Sequence, residues 1–242
     1  MDIATSGISG LDAQLGGGYP RGSTILLIGD PCNALSLFAE QFCAGGLMAS
    51  EAVLYFQFDR PARGSGESIK KLAQELGGNK GTIKVLDGYS GQFSANGKNG
   101  NGHAPGEVVL VPPEKALGEV LNEALKAGAS KYRLALDSLS SLAKPGRDDE
   151  LVDFFRNLVH IGHETGGLQL VTIVRGLHSP QFEARLKHLA TGVLEIGVER
   201  KGFGLYNYLQ VTKLLDLHDP TRLLLFKETD KGLWLESTKR VF

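Results

Sequence analysis

The chain has 242 residues, of which 42% are hydrophobic and 22% charged, which are ordinary values for a globular protein with a substantial core. The formal net charge of −1 excludes the strong overall basic field that attracts nucleic acid or membranes. Two cysteines, Cys32 and Cys43, are too few for a disulfide framework, and neither a signal peptide nor an apolar run of ~20 residues is visible, so we expect a soluble cytoplasmic protein.

Short apolar runs alternate with amphipathic stretches along the first three quarters of the chain. The apolar runs, typical of strands buried on both faces of a parallel sheet, cover 24–29, 52–58, 82–88, 132–138 and 168–174. The helical patterns cover 35–48, 68–78, 113–128 and 148–167, and most of them end at glycine. Strands that alternate with helices of this length predict a doubly wound α/β fold.

The last quarter of the chain contains strand patterns with no helix between them. These patterns cover 193–199, 205–214, 222–228 and 232–238. Their short turns predict an antiparallel extension of the same sheet, with Trp234 in the core. The segment at about 87–106 is rich in Gly, Asn and Ser and is predicted to be a mobile surface loop. No linker divides the chain, so residues 1–242 are predicted to form a single domain.

The turn after the first core strand lies where a phosphate-binding loop of the form G-x-x-x-x-G-K-[ST] would be. In this frame Ala34 replaces the second glycine, Leu35 replaces the lysine, and Ser36 matches. Asp30 adds a negative charge where phosphate oxygens would lie, a repulsion of several kcal/mol at ~4 Å and intermediate dielectric. The residues of this vestigial phosphate loop are Gly29, Asp30, Cys32, Asn33, Ala34, Leu35 and Ser36.

Three segments in chain order resemble the KaiC-like branch of the RecA superfamily. Residues 5–29 follow that branch's T-G-I-x-G-L-D and G-G-G-x-P-x-G patterns with one inserted serine. RLALDSLSSL (133–142) is similar to its fourth strand, and ETDKGLWL (228–235) to its closing I-T-D-K-G-I. The resemblance covers essentially the whole chain. It implies a RecA-like P-loop NTPase fold, in which a mostly parallel central sheet is flanked by helices and extended by C-terminal antiparallel strands.

The resemblance also shows which catalytic groups of the ATP-hydrolysing members are altered. The glutamate pair after the second strand is Asp59 and Arg60 here, and the acid that orients Mg²⁺ is retained as Asp137. Asp59 and Asp137 are therefore vestigial catalytic residues. Arg175 lies at the tip of the fifth strand, and the implied strand order places the first strand between the fourth and the fifth. We expect the Arg175 guanidinium to face Asp59 and to bind Asp137 or Asp30, acting as a plug that occupies the γ-phosphate space.

These combined losses predict a pseudo-ATPase without a nucleotide cofactor, which acts as a regulatory or scaffolding partner. We expect a protein partner or self-association, and no nucleic acid or membrane. One alternative is weak binding or hydrolysis of Mg-ATP through Ser36, Asp59 and Asp137, with Lys144 or Lys213 of a neighbouring subunit replacing the missing lysine. A further alternative is a nucleic-acid-associated subunit of a hetero-oligomer, like the inactive RecA-fold subunits of Elongator.

Two other groups of polar residues carry weaker signals. His160 and His163 have the helical spacing of a metal-binding pair, but no third ligand is near in the sequence, so we expect a solvated helix face and no metal. His178, Arg185 and Lys187 follow the fifth strand, where RecA-like proteins can contact nucleic acid. Few aromatic residues accompany them, which argues against a surface that stacks bases.

Overall fold

The structure is a computed structural model of the chain. It describes residues 2–8, 10–31, 33–93, 108–112, 115–128, 131–201, 204–215, 223–229 and 231–235, without the side chains of Asn33 and Lys201. Cys32 of the candidate phosphate loop lies outside the described residues, and so do residues 94–107 of the predicted mobile loop.

Over the described residues, strands and helices alternate through most of the chain, as the sequence predicts. The helices are α1 (Leu11–Gln14), α2 (Asn33–Met48), α3 (Ser65–Leu76), α4 (Gly88–Gly91), α5 (Ala116–Ala127), α6 (Asp148–Thr165) and α7 (Pro180–Leu189), with a 3₁₀ turn at Leu139–Leu142. The strands are β1 (Ile3–Ala4), β2 (Tyr19–Pro20), β3 (Thr24–Gly29), β4 (Ala52–Gln57), β5 (Thr82–Asp87), β6 (Val108–Leu110), β7 (Tyr132–Asp137), β8 (Leu168–Val174), β9 (Gly192–Lys201), β10 (Gly204–Leu214), β11 (Leu223–Thr229) and β12 (Gly232–Leu235).

The described strands form a main sheet in the order β12-β11-β10-β9-β3-β8-β7-β4-β5-β6, beside a small β1–β2 ladder. Neighbours from β9 to β6 are parallel, and β9 to β12 are antiparallel. The predicted fold class is confirmed. The expected position of the first core strand is wrong, because β8 lies between β3 and β7. Apolar runs identify strands but carry no signal for which strands pair across long stretches of chain.

Helices cover both faces of the parallel part of this sheet. α2 and α3 pack on one face, and α5, α6 and α7 pack on the other, which gives two layers of apolar core. All six residues of β3 are buried, which explains why its apolar run is continuous rather than alternating. None of the described helices combines the length and the apolar character that a membrane crossing requires.

The antiparallel strands β10 to β12 bury only one of their faces against described residues. Leu209, Leu224 and Leu233 point into the core with α2, whereas Leu223 and Trp234 on the opposite face are exposed. Trp234 lies on this opposite face and is 61% exposed, so its predicted core position is wrong. Since side chains alternate along a strand, the inward positions of Leu233 and Leu235 oblige Trp234 to point outward.

The start of the predicted mobile loop is part of the packed fold. Asp87 ends β5, and its carboxylate accepts hydrogen bonds from the backbone N–H of Ser90 at 2.7 Å and of Ala62 at 2.9 Å. Gly88 and Gly91 in α4 are buried, and a Cβ on Gly91 would lie 2.0 Å from the carbonyl oxygen of Val111. The glycines at this point allow close packing, so the predicted loop boundary at 87 is wrong.

A buried ion pair lies at the opposite end of the sheet, where the parallel strands begin. The Arg133 side chain is 0% exposed, and its Nε lies 2.7 Å from the Glu51 carboxylate. Its Nη1 donates to the Phe42 carbonyl oxygen at 2.9 Å, and the guanidinium stacks over the Phe42 ring. Arg21 binds the same carboxylate. Glu51 is therefore the counter-charge that two guanidinium groups with little contact with water share.

Candidate functional site

The segment after β3 has the strand–turn–helix form of a phosphate loop, and two side chains at the start of its helix are buried. Ala34 and Leu35 in the first turn of α2 are 1% and 4% exposed. Leu35 packs against Gly29, where a Cβ would lie 2.9 Å from Leu35 Cδ2. Leu35 thus belongs to the core at the position where the family has its lysine. Ser36 is half-buried and forms no hydrogen bond with the described residues.

Arg175 lies beside this loop, directly after β8, and binds two acids. Its Nε is 3.3 Å from Asp30 Oδ1, and its Nη1 is 3.1 Å from Glu195 Oε2 on β9. Lys187 on α7 binds the other oxygen of Glu195 at 2.9 Å. The expected contact with Asp30 is present. Four side chains of alternating charge therefore connect the loop, β8, β9 and α7.

Glu195 was not recognised from the sequence, although it is the more buried of the two acids that Arg175 binds. Its side chain is 15% exposed, whereas that of Asp30 is 47% exposed. Burial acts to raise the pKa of Glu195, but Lys187 and Arg175 together outweigh burial and hold the pKa below its ordinary value. Glu195 is therefore ionised at neutral pH and keeps two cations at the edge of the loop.

Asp137 does not bind Arg175, contrary to one of the expected arrangements. It is 1% exposed, and its carboxylate accepts hydrogen bonds from Tyr55 at 3.0 Å, Gln57 at 3.1 Å and Thr172 at 3.0 Å. These uncharged donors come from the strands on either side of β7. They provide hydrogen bonds to both oxygens of the buried carboxylate without a cation.

Asp59 is exposed and caps the turn that follows β7, rather than pairing with Arg175. Its Oδ1 accepts hydrogen bonds from the hydroxyl of Ser138 at 2.8 Å and from the hydroxyl of Ser141. The expectation that Arg175 faces Asp59 is wrong. The serines of the turn after β7 bind Asp59, whereas the Arg175 guanidinium binds Glu195 on β9. The two vestigial carboxylates are thus held by separate sets of partners.

His178 lies close to Ser140, a residue that the sequence analysis did not identify as a candidate. Ser140 Oγ accepts the N–H of Val174 at 2.9 Å and lies 2.8 Å from His178 Nε2. Since Ser140 already accepts one hydrogen bond, it can donate its own proton to an unprotonated Nε2. Burial lowers the pKa of His178, which favours this neutral form.

Two of the remaining candidate residues, Lys213 and Arg185, have partners within their own chain. Lys213 Nζ donates to the carbonyl oxygens of Lys187 at 3.2 Å and His188 at 2.9 Å at the end of α7, and burial lowers the pKa of Lys213. Arg185 binds Asp149 at 2.6 Å. Within the described ranges, no three His, Cys, Asp or Glu side chains are grouped so that they could hold a metal ion.

Comparisons with known proteins identify relatives over nearly the whole chain. The model of the family described as "ATPase: KaiC" matches residues 4–239. A UPF0273 protein of Aeropyrum pernix is 26% identical over 96% of this chain and 93% of its own length. Another UPF0273 protein, from Thermotoga maritima, is 25% identical over 94% of this chain and 93% of its own length.

The fold also resembles the crystal structure of a KaiC-like protein from the hyperthermophilic archaeon Pyrococcus horikoshii. The TM-score is 0.68 at 20% sequence identity, and the match covers 98% of this chain and 99% of that one. At this identity the structural match supports the fold alone. Because the family model spans nearly the whole sequence, this chain belongs to the KaiC family, within the RecA-like P-loop superfamily.

Proposed function

We propose that this KaiC-family protein does not hydrolyse ATP and acts as a regulatory or scaffolding partner. The observation that carries the proposal is the burial of Leu35, whose side chain packs against Gly29. In an active loop, the lysine at this position neutralises the β- and γ-phosphate oxygens. An apolar side chain directed into the core supplies neither the charge nor the hydrogen bonds.

The charges around the loop support the same proposal. Asp30 places a carboxylate beside the loop, and it is neutralised only in part by Arg175, which also binds Glu195. Arg175 acts as a plug in this proposal, since its guanidinium spans from the loop to β9. An incoming phosphate would have to detach Arg175 from both acids and would still meet the charge of Asp30.

Titration with Mg-ATP tests the proposal most directly. We expect isothermal titration calorimetry to detect no binding, or binding no tighter than roughly millimolar, because the charge-assisted contacts to phosphate are missing. Phosphate release measured on the same preparation should not exceed the rate without protein. A stoichiometric isotherm with a micromolar Kd would contradict the proposal and favour the nucleotide-binding alternative through Ser36, Asp59 and Asp137.

The form of that alternative that uses Lys213 of a neighbouring subunit has less support. Lys213 already donates to two carbonyl oxygens of its own chain, and it would have to leave both in order to reach a phosphate. Lys144 is exposed and remains the better candidate of the two. Replacing Lys144 with Gln should abolish any ATP turnover that depends on it.

The nucleic-acid alternative also has little support from the described side chains. Arg185 and Lys187 both bind acids, so neither offers an unpaired charge to a phosphate backbone. A shift assay across a range of salt concentrations tests this alternative. Binding that weakens steeply with salt would favour it over a protein partner.

The exposed apolar side chains on β10 to β12 support a role in protein contacts. Tyr206, Leu223 and Trp234 are 43%, 39% and 61% exposed on the same face of these strands. Several exposed apolar side chains on one face of a sheet are a common feature of surfaces that bind other proteins. Sedimentation velocity on the isolated chain would separate self-association from the need for a different protein.

A further inference from the structure

A polar cavity of about 530 Å³ lies between α2 and the segment that leads from β4 into α3. The residues of its lining that matter for its chemistry are Glu40, Arg60, Arg63, Ser65 and Ser68. None of the described side chains of the phosphate loop lines it. Leu37, which directly follows the loop, and Arg60, at one position of the family's glutamate pair, do line it, so the cavity adjoins the loop.

The inner wall of the cavity is a fixed network built on Glu40. The Glu40 side chain is 8% exposed, and its two oxygens accept hydrogen bonds from Arg60 Nη2 at 3.0 Å and Ser68 Oγ at 2.7 Å. Arg60 is half-exposed and uses one of its nitrogens in this contact. Glu40 thus holds the guanidinium in place and leaves its other N–H groups for a ligand.

Two further polar groups of the lining have no partner among the described residues. Ser65 is 6% exposed, and its hydroxyl makes no hydrogen bond with any described side chain or backbone group. Arg63 is exposed at the rim and forms no ion pair within the described ranges. Both groups line the cavity and are available to a bound ligand.

The charge and geometry of these groups favour a phosphate oxyanion. Arg60 and Arg63 exceed Glu40 by one formal positive charge. Guanidinium groups match phosphate oxygens through paired N–H donors, and serine hydroxyls can donate to the remaining oxygens. The cavity also opens at the start of α3, where the helix dipole adds to the attraction for an anion.

We propose that this cavity binds the phosphoryl group of a small phosphorylated molecule, held by Arg60, Arg63 and Ser65. Arg63 binds the ligand as a cation, Arg60 is oriented by Glu40, and Ser65 donates from the buried wall. Donors that come from several directions suit a tetrahedral group with several oxygens better than a planar carboxylate with two.

Titration with inorganic phosphate at constant ionic strength, followed by ³¹P NMR, tests the proposal. We expect saturable binding that Arg63→Gln weakens about tenfold, equivalent to one charge-assisted hydrogen bond, and that Ser65→Ala weakens several-fold. The matched control is Lys71→Gln, which removes a positive charge from the exposed face of α3 outside the cavity. The control should change affinity less than about twofold, since exposed charges are screened.

The outcomes separate this proposal from the proposed function. Absence of saturable phosphate binding, or equal weakening by Arg63→Gln and Lys71→Gln, would refute the phosphate site in the cavity. Neither result would bear on the proposal that the loop does not hydrolyse ATP. Loss of phosphate binding in Ser36→Ala, with Arg63→Gln unaffected, would place the ligand at the loop and overturn both. Tighter binding of ribose 5-phosphate than of inorganic phosphate would support a phosphorylated small molecule as the natural occupant.

Discussion

Replacing Arg175 with Gln should destabilise the fold by about 1–2 kcal/mol. The charge-assisted contact with the 15%-exposed Glu195 carries most of this effect, because such bonds contribute about 1.5–3 kcal/mol when they are well buried. Two observations reduce that value: Arg175 itself is 34% exposed, and Lys187 remains bound to Glu195 after the change. The contact with Asp30, which is 47% exposed, adds at most about 1 kcal/mol.

Urea denaturation followed by circular dichroism measures this loss of stability. In thermal unfolding of a chain of this length, the same loss should lower the melting temperature by about 2–8 °C. Arg185→Gln is the matched control, because Arg185 also forms an arginine–carboxylate pair but binds Asp149, which is 86% exposed. We expect the control to lose less than about 0.5 kcal/mol. Equal stability of the two variants would refute the ion-pair network at the loop edge.

The difference in stability between the wild type and Arg175→Gln should depend on pH. Since the pKa of Glu195 is lowered in the folded state from an ordinary value of 4.5, its contribution to stability is present above pH 4.5 and is lost as the pH falls through the folded-state pKa. The stability difference between the wild type and Arg175→Gln should therefore shrink below about pH 4.5. A difference that stays constant down to pH 3 would show that Arg175 stabilises by packing alone.

Three further predictions concern the buried ion pair, the start of the predicted loop and the phosphate loop. Glu51→Gln should lower the free energy of unfolding, measured by urea denaturation, by about 3–5 kcal/mol, since it leaves the Arg133 guanidinium buried without a counter-charge. Replacement of the exposed Glu150 with Gln is the control, and a similar small loss of stability in both variants would contradict the reasoning. Asp87→Ala should cost about 2 kcal/mol through two lost hydrogen bonds to backbone N–H groups, and an unchanged unfolding midpoint would show that α4 does not depend on its cap. If the proposed function holds, Leu35→Lys alone should not produce ATP hydrolysis in a phosphate-release assay, because Ala34 and Asp59 also depart from the family's pattern. Measurable release would mean that the loop needs only the lysine.

The pattern of apolar residues was sufficient to predict the main strands and most of the helices. Buried parallel strands such as β3 have apolar side chains on both faces, so their runs are easily recognised. β6 was not predicted, because a three-residue edge strand carries little periodic signal. α7 was also not predicted, although Ser179 accepts the N–H of Phe182 and a proline opens the helix, which are recognisable signs of a helix start.

The candidate site was predictable only where its partners are close to the loop. The contact between Arg175 and Asp30 follows from the adjacency of β8 and β3. Glu195 escaped prediction because it lies along β9 rather than at a strand tip, and nothing local in its sequence marks it as facing Arg175. Asp137 was assigned to Arg175 from its charge and from the implied strand order, which the structure does not have. The structure shows that hydroxyl and amide donors on adjacent strands can satisfy a buried acid equally well.

The outward position of Trp234 has a consequence for spectroscopy, because it is the single tryptophan of the chain. Its indole is in contact with water in the folded protein, so emission should already be red-shifted before unfolding. Intrinsic fluorescence would therefore report global unfolding poorly. It would instead respond to anything that covers the outer face of β12, with a blue shift and reduced quenching by iodide. The chain thus carries its own optical probe for molecules that dock on that face.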